Sequence, residues 1–314
     1  MRRQIRLFLR LLGPAIFLGI LYWYVDLQEF KIFLGNLKWS YFWVSLAVVP
    51  ALVLVRTLRW KIILSTWGIH HPLWRYFKIY FVEMVAVMVV ATVGTFIKAF
   101  YLKSEHGLLR PGLSIVADKF FDYLLPFFFG LASAFLVWLE IGANTSLVII
   151  FAVVLMMFFP ARKTVLIFNR HLVPNRLRTL FHTHNRDVNE YLADIYQALD
   201  FRNYALSVLG FVLYFFAIYF LSLGINLTLS FSQMVMILSI TTLFSVIPVS
   251  FLGVGAQDVG FLYVFQLFNY RPEDAVLFSL ALLFLRLAIL LLGAIFWMIN
   301  PPPLAGRISE QAIS

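Results

Sequence analysis

The stretch NYALSVLGFVLYFFAIYFLSLGINLTLSFSQMVMILSITTLFSVIPVSFLGVGAQ, Asn203 to Gln257, runs for 55 residues without a formal charge. A bilayer crossing takes roughly 20 predominantly apolar residues, so this run enters the membrane more than once. The rest of the chain agrees: of 314 residues, 62% are hydrophobic, 18% aromatic and 13% charged, with a mean hydropathy of +0.89. A soluble domain is about a quarter charged. This composition excludes a secreted globular protein, a soluble enzyme and a disordered chain. The absence of cysteine excludes disulfides, thiolate metal sites and cysteine nucleophiles. The net charge of +10 reads as Lys and Arg gathered in cytoplasmic loops rather than as a nucleic-acid surface.

Working outward, eight apolar segments can be marked at about 8–25, 40–55, 79–97, 113–138, 144–160, 203–223, 231–250 and 274–297. The basic start MRRQIR leads into the first of them with no small-residue cleavage pattern, and it reads as a retained helix. Sending all eight segments across would put loop 161–202, with seven basic and four acidic residues, on the outer side, against the positive-inside tendency. That conflict disappears if 79–102 and 231–268 each enter and leave on the same side. The first would break around Ala91 to Thr95, including Gly94, and the second around Pro248, Gly253 and Gly255. The expected architecture is then an all-α polytopic membrane protein. It has about six full transmembrane helices and two broken or re-entrant segments, with both termini cytoplasmic. Kinked full spans are the competing reading. Broken helices in the two halves are a mark of inverted-repeat transporters, so the layout allows an inverted repeat. Residues 1–314 form one integral membrane domain, and 161–202 form a basic loop within it. In that loop, Val188, Tyr191, Leu192, Ile195 and Leu199 make one face of an amphipathic helix.

A charge at the bilayer centre costs at least about 2.5–3.5 kcal/mol on insertion scales, and such residues face a partner or a cavity. The candidates are Glu83, Lys98, Asp118, Lys119, Asp122, Asp258 and Arg286. Asp118 and Asp122 are four apart and share a helix face, with Lys119 close to it. Arg286 has eleven uncharged residues before it and twenty after it, and Asp258 is a candidate partner. Its planar fork of donors suits phosphate, and a buried salt bridge that only fixes helix packing is the alternative. No enzymatic constellation is present. The six histidines form no HExxH pattern, His182 and His184 in a basic loop are weak metal evidence, and GVGAQDVG follows a membrane helix rather than a strand. No cofactor or metal is expected.

Two regions resemble the lysylphosphatidylglycerol synthase/flippase transmembrane family, also called flippase-like or UPF0104. They are RTLRWKIILSTWG with VGTFIKAFYLKSEHG and SIVADKFFDYL, and later IPVSFLGVGAQDVGFLYVF with RPEDAVLFSLALLFLRL. By position, Arg56, Arg59 and Trp60 match an R-x-x-R-W element that the family places at a cytoplasmic helix end. Lys98 stands where arginine is common, and Asp118, Lys119 and Asp122 look like an acid–base–acid patch. Pro248, Gly253, Gly255, Asp258 and Arg286 match the closing signature. Val93, Gln257 and Asp258 depart from the usual proline, arginine and glutamate. The resemblance implies a cell-membrane protein in lipid transport, and it implies that the soluble aminoacyl-transferase domain is absent and the chain is not an enzyme. The expected function is that of a lipid translocase moving an anionic or aminoacylated phospholipid, or a polyprenyl phosphate, between leaflets. Lys98 and Arg286 would meet the phosphate, and the acids would balance charge or bind a cationic headgroup. The alternative is a non-catalytic scaffold for a glycosyltransferase or lipid-modifying enzyme. A membrane-embedded enzyme acting on a lipid phosphate ranks last.

Overall fold

The computed structural model describes residues 35–138, 198, 200–244 and 256–299. These residues are helical, with no strand among them, as the uncharged run requires. In chain order they form α1 (Trp39–Thr66), α2 (Leu73–Val90), a 3₁₀ segment (Ala91–Phe96), α3 (Ile97–His106) and α4 (Leu109–Trp138). The second set is α5 (Phe201–Gly224), α6 (Phe231–Phe244), α7 (Ala256–Leu267) and α8 (Pro272–Ile299). Three of them, α1, α5 and α8, are long and apolar enough to cross a membrane. The chain is a polytopic membrane protein. The expected spans at 8–25 and 144–160, the loop 161–202 apart from Ala198, Asp200, Phe201 and Arg202, and both termini lie outside the described residues.

Bundle packing turns the usual apolar gradient outward. Trp43, Phe135, Tyr263, Leu291 and Ile299 are exposed, as side chains facing lipid would be. One large apolar cluster joins α1, α2, α5, α6, α7 and α8 through side chains such as Phe42, Val82, Leu221, Leu238, Phe265 and Leu290.

The segment expected to break between Ala91 and Thr95 does so, and the geometry decides between a kink and a reversal. Gly94 sits so close to α2 that a Cβ there would overlap the carbonyl carbon and oxygen of Ala86, eight residues earlier. A continuing helix would carry residue 94 about 12 Å beyond residue 86, so the chain has doubled back. The open end of this hairpin is held shut by Arg75 at the start of α2 and Glu105 at the end of α3, 2.6 Å apart, with His71 Nε2 3.1 Å from Glu105. Both ends of the segment therefore lie at the same end of the bundle. Because this pair is exposed, Glu105→Gln is expected to cost less than about 1 kcal/mol, read as a small shift in melting temperature in detergent.

The second broken segment is closed in the same way. Tyr270, just past α7, donates from its hydroxyl to the Thr228 carbonyl at 2.8 Å, just before α6. Its expected tip at Pro248, Gly253 and Gly255 lies outside the described residues.

The two hairpins open toward opposite ends because α1 and α5 are antiparallel. Gly224 at the end of α5 accepts a hydrogen bond from Lys38, just before α1, at 2.9 Å, while Ser207 near the start of α5 meets Arg59 late in α1. Each half thus reads long helix, hairpin, long helix. The last helix of each half packs against the hairpin of the other, α4 on α6 and α8 on α2. Both of those contacts turn on a glycine that is the twenty-second residue of its helix. A Cβ on Gly130 would meet Ser239 Cβ at 2.8 Å, and one on Gly293 would meet Val85 Cγ2 at 2.6 Å. Among the described residues the two halves thus run in opposite directions along the bundle.

Helix α1 corrects one boundary. The segment expected at 40–55 continues to Thr66, because LRWKIILST contains no breaker. It stops at Gly68, whose φ of 72° allows Ile69 to donate back to the Leu64 carbonyl at 3.0 Å. Arg56, Arg59 and Trp60 consequently lie inside the helix, two to three turns before its end, rather than at its terminus.

Candidate functional site

Six ionised side chains meet inside the first half of the bundle and form a closed ring of alternating sign. Arg59 on α1 donates through Nε to Asp118 Oδ1 at 2.9 Å, and its Nη2 lies 2.5 Å from Asp122 Oδ1. Asp118 also accepts from Lys98 Nζ at 3.0 Å. Lys98 reaches Glu83 Oε2 at 2.9 Å, and the other oxygen of Glu83 lies 3.4 Å from Lys119 Nζ. Lys119 closes the ring on Asp122 Oδ2 at 3.0 Å. Each acid thereby has two cationic neighbours, and each base has two acidic ones.

The fold explains how this ring forms. Asp118 and Asp122 share one face of α4, and both turn toward the guanidinium of α1. The hairpin reversal carries Lys98, the second residue of α3, back beside Glu83 on α2, although fifteen residues separate them. Lys98 and Asp118 are fully buried, Arg59 and Glu83 nearly so. Such burial demands full compensation, and neighbouring groups supply it. Tyr80 donates its hydroxyl to Asp118 Oδ2 at 2.5 Å. The Lys98 ammonium lies 4.1 Å from the Tyr80 ring centre and 4.7 Å from that of Trp60, both cation–π contacts. Trp60 in turn donates its Nε1–H to Ser114 Oγ at 3.1 Å, which fixes the ring plane. Arg59 Nη1 donates to Ser207 Oγ at 3.0 Å and so ties the first half to α5. Glu83 has no aligned hydrogen bond despite its two ion-pair distances, so charge alone holds it.

Beside the ring lies a cavity between α1, α4, α5 and α6, edged by Arg56, Arg59, Asp122, Ser207, Tyr214 and Thr242, with apolar Phe121, Leu125 and Phe211. Its free space of about 30 Å³ holds a water molecule or two and is too small for a lipid headgroup. Pro126 lies on its wall and, lacking an N–H, frees the carbonyl of Asp122 from its helical bond.

Four of the residues expected around a polar cavity, Lys98, Asp118, Lys119 and Asp122, therefore come together, with their charges directed at one another. Arg56, Arg59 and Trp60, expected at a helix end, belong to the same neighbourhood: Arg59 closes the ring, Trp60 packs under Lys98 and Arg56 lines the cavity. Glu83, recognised in the sequence only as a costly charge, is a full member of the ring. Its signal was an acid in the middle of an apolar segment. Tyr80 carried no signal beyond being aromatic. Arg286 is half-buried on α8, and Tyr214 on α5 lines the cavity with Arg56. The backbone of Asp258 belongs to α7, and its side chain lies outside what is described. Among the described residues no three His, Asp or Glu side chains are placed to hold a metal ion.

No curated protein and no solved structure matches the chain. One protein family does, over residues 10–294, which takes in all the described helices up to the last turn of α8. Its description, the lysylphosphatidylglycerol synthase TM region, fits the order of motifs from Arg56 to Arg286, and the chain belongs to that family of membrane domains.

Proposed function

We propose that the protein is a lipid translocase of the cell membrane, moving a phosphate-bearing lipid between leaflets without covalent chemistry. The observation that carries this reading is the cavity edged by Arg56, Arg59 and Asp122 at mid-helix depth, inside a bundle whose outer face is apolar. A charged headgroup crossing bare hydrocarbon meets a cost of at least about 2.5–3.5 kcal/mol per charge. A polar lining removes most of it, and the tails never leave the lipid. The ring acts as a fixed anchor that holds α1, the first hairpin and α4 together. The gap against α5 and α6 widens to admit the headgroup, since about 30 Å³ accepts none as it stands. The opposed direction of the two halves supports the reading, because two halves of opposite orientation offer equivalent outward- and inward-open arrangements. Arg286 on α8 meets the phosphate from the second half.

The test is transbilayer movement of fluorescent phosphatidylglycerol and of a polyprenyl phosphate in vesicles carrying the purified protein. Movement should fall at least about tenfold in Arg286→Ala, the equivalent of losing one charge-assisted contact, with both proteins assayed well below their melting temperatures. Equal movement in the two proteins sinks the proposal. One observation favours a scaffold instead: the ring is neutral by itself and needs no ligand. A stoichiometric partner enzyme that co-purifies, and is lost when the basic loop 161–202 is deleted, would mark that role.

A further inference from the structure

Resting on the translocase reading, we infer that the cavity beside the ring is a phosphate site centred on Arg56, and that the lipid it takes bears a plain anionic phosphate rather than an aminoacyl ammonium. Glu83, Asp118 and Asp122 stand against Arg59, Lys98 and Lys119, three of each sign, and every carboxylate already has two cations within 3.4 Å. A cationic headgroup entering the cavity meets one carboxylate, Asp122, which Arg59 and Lys119 already hold, and two guanidinium groups, Arg56 and Arg59.

Arg56 is a fourth cation beside the three of the ring, attracted by Asp122 and Asp118 without a direct ion pair to either. It lies one turn before Arg59 on α1 and lines the cavity, and among the described residues it makes no hydrogen bond or ion pair. It is only partly exposed, and α1 continues for ten residues beyond it, about 15 Å of helix. That is more than an arginine side chain spans, so the guanidinium does not reach past the end of its own helix. Gly210 on α5 lines the same cavity as Arg56. Tyr214, one turn further along α5, lines the same cavity and adds a hydroxyl donor there. An excess of positive charge, a planar fork of five N–H donors and a neighbouring phenol are the complement of a phosphate oxygen set.

The experiment uses the full chain in detergent, with lipid binding read by native mass spectrometry and by thermal shift. The probes are phosphatidylglycerol, an undecaprenyl phosphate, lysylphosphatidylglycerol, phosphatidylcholine and inorganic phosphate. Phosphatidylglycerol and the polyprenyl phosphate should bind more tightly than the lysylated and zwitterionic lipids. Arg56→Gln should weaken them about tenfold, with Arg56→Lys recovering part of the loss. Equal affinity of Arg56→Gln and the parent for the anionic lipids overturns the inference. So does tighter binding of lysylphosphatidylglycerol by the parent protein, which needs no variant to fold. Stabilisation by inorganic phosphate alone would make the site one for a free anion and overturn the lipid assignment. Selective, Arg56-dependent binding by a protein that moves no lipid in vesicles would uphold this inference and reject translocation.

Discussion

Asp118→Ala is expected to cost the fold on the order of 3–5 kcal/mol, the range for breaking a buried ion pair from one side. The carboxylate is fully buried and receives Arg59, Lys98 and Tyr80 at 2.9, 3.0 and 2.5 Å. Its removal leaves a guanidinium and an ammonium in a buried site with the remaining acids, Glu83 and Asp122, already shared. Asp118→Asn should recover only part of the loss, since the amide keeps an acceptor for one donor and removes the charge that balances the ring. The measurement is the melting temperature and the monodisperse fraction after detergent extraction, for both variants. A melting temperature within a degree or two of the parent would show that the ring adds nothing to stability. Because a neutral residue here unbalances the ring rather than opening the Arg56 cavity, this experiment reads architecture separately from transport.

The second large effect is expected at Gly94. Any side chain there meets backbone, namely the carbonyl of Ala86 and the amide of Val87, the latter at 2.6 Å. Backbone inside a helix cannot move aside as a flexible side chain can, so Gly94→Val should force α3 away from α2. The consequence reaches beyond the overlap itself, because Lys98 stands four residues later and is held beside Glu83 only by the reversal. Parting the hairpin breaks the Lys98–Glu83 and Lys98–Asp118 contacts together. Little folded protein is expected, and the loss should match or exceed that of Asp118→Ala. Since the chain has no native cysteine, the hairpin itself can be followed by joining Arg75→Cys and Glu105→Cys with a bismaleimide long enough to replace the two side chains of the ion pair. That cross-link should form in the parent background and fail with Gly94→Val. Efficient cross-linking with Gly94→Val would mean that the close approach at residue 94 is not what holds the reversal.

Particular residues show how far the sequence could be read. The break at Ala91 to Thr95 was visible as a glycine-bearing interruption between apolar runs, and the basic loops on either side pointed to a segment that returns to its own side. The pairing of Asp118 with Asp122 on one face followed from helical periodicity. Arg59 was visible as a charge but misplaced, because the apolar run was ended at residue 55 while α1 continues to Thr66. Glu83 was visible as an expense with no partner named. Arg286 and Asp258 were paired on their positions near a proline–glycine break. The side chain of Asp258 lies outside the described residues.

What the sequence determined alone is therefore the solvent and the inventory. An uncharged run of 55 residues and a 13% charged composition make burial in lipid the only favourable state, since transfer free energies add along the chain regardless of how helices later pack. The same reasoning marks every charge that remains as one needing compensation. Which charge compensates which was decided only by tertiary structure. Arg59 meets Asp118 and Asp122 across 59 and 63 residues, and Lys98 meets Glu83 only because the chain reverses at Gly94. Ion pairing depends on distances of a few ångströms between groups far apart in sequence. No local pattern of charge, hydropathy or turn residues carries those distances until the hairpin has closed and α4 has packed against α1.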